Sequence, residues 1–140
     1  MGERNWLMAA VMVGFVALLA APVAARSAEL VMLEEGGCPW CERWDEEVGV
    51  VYDKTREGRC APLRRVDIHG QLPADLAGLR RGNYTPTFVL MENGREVGRI
   101  RGYPGEDFFY PMLNQLLERL ETPCPSPQNA REPLQHRTSN

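Results

Sequence analysis

The chain has 140 residues, four cysteines and a formal net charge of −3, enough for one domain with its own core once flanking segments are set aside. That slight acidity offers no basic stripe to a nucleic acid or to an anionic membrane surface. From Glu29 onward 14 Lys and Arg face 18 Asp and Glu, and Glu34, Glu35, Glu42, Asp45, Glu46 and Glu47 crowd one stretch that Arg43 alone relieves.

Residues 1–28 read as an export signal. Arg4 precedes an apolar run from Trp6 to Ala21, then come Pro22 and small-x-small sites at Val23/Ala25 and Ala25/Ser27, which predict cleavage near 25–28. An uncleaved membrane anchor is the alternative, because Leu7 to Ala25 approaches the roughly 20 apolar residues of a spanning helix. Either way the domain of residues 29–121 is exported. All four cysteines, Cys38, Cys41, Cys60 and Cys124, follow the signal, in a compartment where disulfides persist.

Leu30 to Leu33 is a short apolar run bounded by Glu and Gly, the pattern of a buried central strand. After Gly36-Gly37, the spacing Cys41, Trp44, Val48, Val51, Thr55 predicts one face of a helix opened by Cys38-Pro39 and closed near Gly58. Leu63, Val66 and Ile68 predict a second strand. Pro73 to Arg81 reads as a short helix capped by Gly82-Asn83. Strands over Thr87–Met91 and Glu96–Arg101 flank Asn93-Gly94, a hairpin signal. A last helix is predicted from about Glu106 to Glu121, with Phe109, Met112, Leu113, Leu116, Leu117 and Leu120 on its apolar face and Pro111 near its first turn. The proline-rich polar stretch 122–140 has too little apolar surface to fold and is expected to be a disordered tail.

The order strand, helix, strand, short helix, hairpin, helix implies a right-handed parallel crossover followed by antiparallel strands. Within it, "GGCPWCERW" puts Cys38 and Cys41 at a helix start. This C-x-x-C, with Thr85-Pro86-Thr87 leading into the hairpin, resembles the thioredoxin fold over Leu30 to about Leu120. The fold class is therefore α/β, a thioredoxin-like fold whose central mixed sheet joins a parallel βαβ unit to an antiparallel hairpin, flanked by helices. "GCPWCERWDEE", "APLRRVDIHGQLPADL" and "TPTFVLMENGREVGRIRGYPGEDFF" are similar to the small periplasmic SoxS-like thioredoxins of bacterial sulfur-oxidation systems.

A thiolate at a helix N-terminus is stabilised by unpaired N–H groups, so Cys38, at the open end, is the candidate nucleophile. Cys41, one turn in, is the candidate resolving thiol. The resemblance implies that Pro86 is a cis-proline and that it holds a substrate strand together with the Thr85 backbone. Pro39, Trp40 and Tyr84 complete the candidate substrate contacts, Trp40 as a platform. Thioredoxins carry a buried Asp six residues before the first cysteine, but Met32 stands there; Glu34 or Glu35 is the candidate base in its place, against the plainer reading of solvated loop residues.

The resemblance also implies a partner with a functional cysteine, SoxYZ-like, and a membrane electron donor of the CcdA or DsbD type. No cofactor is expected, and the protein is expected to be a monomer. The uncharged Pro39-Trp40 and the surrounding acids favour a reductant. Residues 69–85 leave no room for the helical insertion of DsbA-type oxidases, and no dimerisation domain of an isomerase is expected. The rivals are a cytochrome c maturation or oxidising thioredoxin and a non-catalytic binding module with a permanent disulfide. A metal site would need two more ligands, and His69 is the one histidine of the folded region. In the thioredoxin fold the flanking helices bring Cys60 and Cys124 to the pole opposite the pair, so a disulfide between them is expected, with two free surface thiols as the alternative.

Overall fold

The computed structural model describes residues 28–124. The expected export signal, apart from Ala28, and residues 125–140 of the expected tail lie outside the described residues.

Four strands form one sheet in the order β2-β1-β3-β4. β1 (Glu29–Glu34) runs parallel to β2 (Leu63–Asp67) and antiparallel to β3 (Thr87–Glu92), and β3 pairs antiparallel with β4 (Arg95–Arg101). The centre of the sheet is β1 and β3, whose apolar runs are buried because both faces are covered. On one face Leu30, Met32, Phe88, Leu90 and Ile100 pack with Trp44, Val48, Tyr52, Phe109 and Leu113. On the other, Val31, Leu33, Val66, Val89 and Met91 pack beneath Leu76 and Leu79. The hairpin turns where expected, at Asn93 (φ 53°) and Gly94 (φ 75°), both positive as a two-residue turn of this twist requires.

The helix expected after Cys38 is not continuous. α1 (Pro39–Trp44) passes into a π turn over Asp45–Gly49, a 3₁₀ turn over Tyr52–Lys54, and then α2 (Arg56–Cys60). A π turn inserts one extra residue and shifts the phase of everything after it. Val48 and Tyr52 thereby stay in the core while Val51, expected on the apolar face, is exposed. Thr55 leaves that face too and caps α2, its hydroxyl accepting from the Gly58 N–H at 3.0 Å. Nor does Gly58 close the segment. It lies inside α2 against the preceding turn, and a Cβ there would sit 1.8 Å from the Tyr52 carbonyl oxygen. Gly58→Ala is expected to lower stability by about 1–3 kcal/mol, as overpacking does, read as a lower urea midpoint at unchanged slope.

The helix expected over Pro73–Arg81 is reduced to a 3₁₀ turn, Ala74–Leu76. Its two core residues, Leu76 and Leu79, are both buried by that turn and the loop after it. α3 (Glu106–Leu117) starts where expected and ends in tighter turns, with Arg119 N–H donating to the Leu116 carbonyl and Leu120 N–H to that of Leu117. Phe109, Leu113, Leu116, Leu117 and Leu120 are buried, but Met112 is exposed. It lies on the solvent stripe with Phe108, four residues away, rather than on the packed face. Beyond α3 the buried Glu92 carboxylate accepts the backbone N–H groups of Glu121 (2.8 Å) and Thr122 (3.0 Å). The chain is thus held against the sheet as far as Cys124, which forms a disulfide with Cys60 (Cα–Cα 5.3 Å).

Candidate functional site

β1 ends at Glu34, β3 begins at Thr87, and α1 and α3 both start at this same end of the sheet. Cys38 is the N-cap of α1, and Pro39 occupies the first turn, where its missing N–H costs nothing. The Cys41 N–H donates to the Cys38 sulfur at 3.2 Å, and the Cys38 carbonyl accepts from the N–H groups of Cys41 and Glu42 at 3.1 Å each. The two cysteines are bonded to each other, with Cα atoms 5.3 Å apart, and both are buried. The helix start is fixed by Trp44, fully buried one turn on. Its ring centroid lies 5.3 Å from Phe88, 5.8 Å from Phe109 and 5.9 Å from Tyr52. Met32 is fully buried in this same cluster, so the position where thioredoxins carry an Asp supplies packing and no proton acceptor.

The Thr85–Pro86 peptide bond is cis. Around it the Thr87 hydroxyl donates to the Tyr84 carbonyl and the Gly102 N–H to the Pro86 carbonyl, both at 2.7 Å. Glu35 ties this loop to the one before the cysteines: it accepts from the Thr85 hydroxyl at 2.6 Å and meets His69 Nε2 at 2.9 Å. The Thr85 bond first, and then His69, hold the Glu35 carboxyl below the usual glutamate range. The contact with Thr85 therefore belongs to the charged form. It is strongest at neutral pH and weakens as the pH falls through the lowered value. A carboxyl titration followed by NMR should place the Glu35 midpoint below 4.5, and in Thr85→Ala that midpoint should move up.

Glu34 pairs with Arg65 at 2.6 Å, and Arg65 also binds Asp45. A groove past Cys38 and Cys41 is lined by Glu34, Glu35, Glu42, Asp45 and Arg65. Both candidate bases thus border the cysteine groove, one held by Arg65 and the other by Thr85 and His69. The acidic stretch is consequently less bare than its sequence implies. Arg65 and His69 arrive from β2 and the loop after it, while Arg43 pairs with Glu47 at 2.8 Å. Among the described residues Glu42 is the acid beside the pair that keeps no hydrogen bond or ion pair.

Trp40, Tyr84, Thr85, Arg101, Gly102 and Tyr103 line a second, wide recess. Trp40 is 52% and Tyr84 67% exposed, and Arg43 lies over the Trp40 ring at 5.7 Å. Tyr103 forms the floor. Its hydroxyl donates to Glu47 at 2.6 Å; burial and this bond push the phenol well above its usual range, while the Tyr103 bond and Arg43 lower Glu47. Arg65, His69, Arg101 and Tyr103 have no motif to announce them; their sole sequence signal is a position within, at the end of or just after a strand that leads to the cysteine pole.

This arrangement can perform thiol:disulfide exchange. Neither a protein-family model nor a curated protein matches the chain. Solved structures do. The reduced form of the periplasmic thioredoxin SoxS from Paracoccus pantotrophus is 47% identical, with a TM-score of 0.62, covering 66% of this chain and 98% of that one. Trxlp from Edwardsiella tarda is 26% identical (TM-score 0.52; 64% of this chain, 84% of that one). A thioredoxin from Thermus thermophilus is 25% identical (TM-score 0.52; 64% and 73%). The chain belongs to the thioredoxin family. Within that family it is similar to periplasmic SoxS over nearly the whole length of the latter.

Proposed function

We propose that this protein is an exported thiol:disulfide oxidoreductase that acts as a reductant on a cysteine-bearing partner. The observation that carries the reading is the cysteine pair at the start of α1, with Cys38 as the cap and its sulfur accepting the Cys41 N–H. Cys38, as thiolate, attacks a partner disulfide or blocked thiol, and one partner sulfur leaves with its electron pair and takes a proton. Cys41, once deprotonated, attacks the Cys38 sulfur, which releases the second partner thiol and leaves the pair oxidised. Two electrons and two protons pass to the partner. Glu34 and Glu35, which border the groove lined by Cys38 and Cys41, are the candidate bases for this step where Met32 offers no carboxylate. Trp40, Tyr84, Thr85 and Pro86, beside Pro39, receive the partner segment as an added extended strand.

The similarity to a periplasmic SoxS supports placement in the periplasm behind a signal at 1–28, cleaved or retained as an anchor. A SoxYZ-like sulfur carrier as partner and recharging by a membrane donor of the CcdA or DsbD type belong to this reading as what the resemblance of the sequence implies. Among the described residues no helix is long and apolar enough to cross a membrane. Catalysed precipitation of insulin in the presence of dithiothreitol tests the reading. A rate no faster than dithiothreitol alone would favour the binding module with a permanent disulfide.

A further inference from the structure

The recess beside the cysteines holds one cation with nothing bound to it. Arg101 ends β4, is exposed, and lines the recess with Trp40, Tyr84, Thr85 and Tyr103. Among the described residues its guanidinium takes no hydrogen bond or ion pair. Its neighbours are already committed: Glu96, whose charge it feels, is held by Arg99, and Arg43, over Trp40, is held by Glu47. The Tyr103 hydroxyl goes to Glu47 and the Thr85 hydroxyl to Glu35. The Thr85 backbone N–H and carbonyl, by contrast, have no partner among the described residues and are free to pair with an extended chain. The separate groove lined by Cys38 and Cys41 carries Glu34, Glu35, Glu42, Asp45 and Asp67 against Arg65. An acidic group entering with a substrate is therefore repelled by that groove and received in the recess at Arg101.

We propose that Arg101 is a specificity residue that reads a carboxylate on the partner: the cysteine segment this protein takes is extended, with an acidic side chain close to its cysteine on the flank that lies between Trp40 and Tyr84. This deepens the thiol:disulfide reading above and rests on it. The segment lies along the Thr85 backbone with its sulfur at Cys38. The carboxylate meets a guanidinium suited to bidentate contact.

The test uses disulfide-linked dimers of Ac-Gly-Xaa-Cys-Gly-NH2 and of Ac-Gly-Cys-Xaa-Gly-NH2, with Glu or Lys as Xaa, and reads kcat/KM at low salt. On one side of the cysteine the native protein should favour Glu over Lys by about fivefold, the scale of an exposed charge pair. In Arg101→Ala that ratio should fall to within about twofold, and in Arg101→Glu it should invert. A preference for Glu that survives Arg101→Glu, or a preference for Lys on both sides in the native protein, overturns the proposal. Exchange that runs from the oxidised protein to pairs of the peptide thiols, joining them as the disulfide dimer, defeats the reductant reading alone, and the ratio measured in that direction still decides the role of Arg101. No exchange in either direction overturns both.

Discussion

Cys41→Ser is expected to abolish turnover and to leave the protein bonded through Cys38 to its partner. Removal of the second thiol leaves the first step intact, because Cys38 retains its cap position and the N–H that stabilises its sulfur, while nothing remains to resolve the mixed disulfide. Cys38→Ser should also abolish turnover but trap nothing, since Cys41 is one turn into the helix and lacks the cap position and the N–H donor that stabilise the Cys38 sulfur. Activity in both variants should fall to the uncatalysed level. Non-reducing gels of periplasmic extract exposed to each variant check the assignment. An adduct with Cys38→Ser in place of Cys41→Ser would exchange the two roles.

Removing the second disulfide should produce the largest change in stability. Cys60 ends α2 and Cys124 follows α3, 64 residues later, so their bond closes a long loop around β2, the whole hairpin and α3. In the chain-entropy model such a loop contributes about 4 kcal/mol. Replacing both cysteines by Ala should lower unfolding stability by about that amount and the melting temperature by about 20 °C. Urea titration and thermal melts of the double variant measure it, and a loss below about 1 kcal/mol would show that Glu92, which grips the backbone of Glu121 and Thr122, already holds this end unaided. The same bond should survive dithiothreitol concentrations that reduce Cys38 and Cys41.

What the sequence made legible follows the range of the forces involved. The four-residue apolar run of β1 and the Asn93-Gly94 turn are local signals, and the elements formed where they point. The break after α1 is not local. Its π turn places Gly49 against Trp44, where a Cβ would sit 3.1 Å from the ring, and Trp44 is positioned by Phe88 and Phe109 from distant elements. Pro73 to Arg81 carries helical spacing, yet its Leu76 and Leu79 need only to reach the sheet, and a single 3₁₀ turn achieves that. At the site, the cysteines and the Thr85-Pro86 pair stand out as motifs. The bond from Thr85 to Glu35 spans 50 residues and that from His69 to Glu35 spans 34; only the parallel crossover and the hairpin bring them together. Charge counted along the chain overstated the bare acidity around the pair for the same reason, since Arg65 and His69 reach it from β2 and the loop beyond.

The balance between reductant and oxidant rests on the reduced state of Cys38. The helix start stabilises its thiolate, but Pro39 and Trp40 bring no positive charge, and Glu42 beside the pair is unneutralised among the described residues. The thiolate should therefore lack the extra stabilisation that makes strong oxidants of this fold. Equilibration of the Cys38–Cys41 pair in a series of redox buffers, with the reduced fraction followed by alkylation, is the most direct measurement. A reversible two-electron transition near thioredoxin's, about −270 mV, is predicted, and a midpoint above about −180 mV, toward the roughly −120 mV of DsbA, would contradict the reductant assignment.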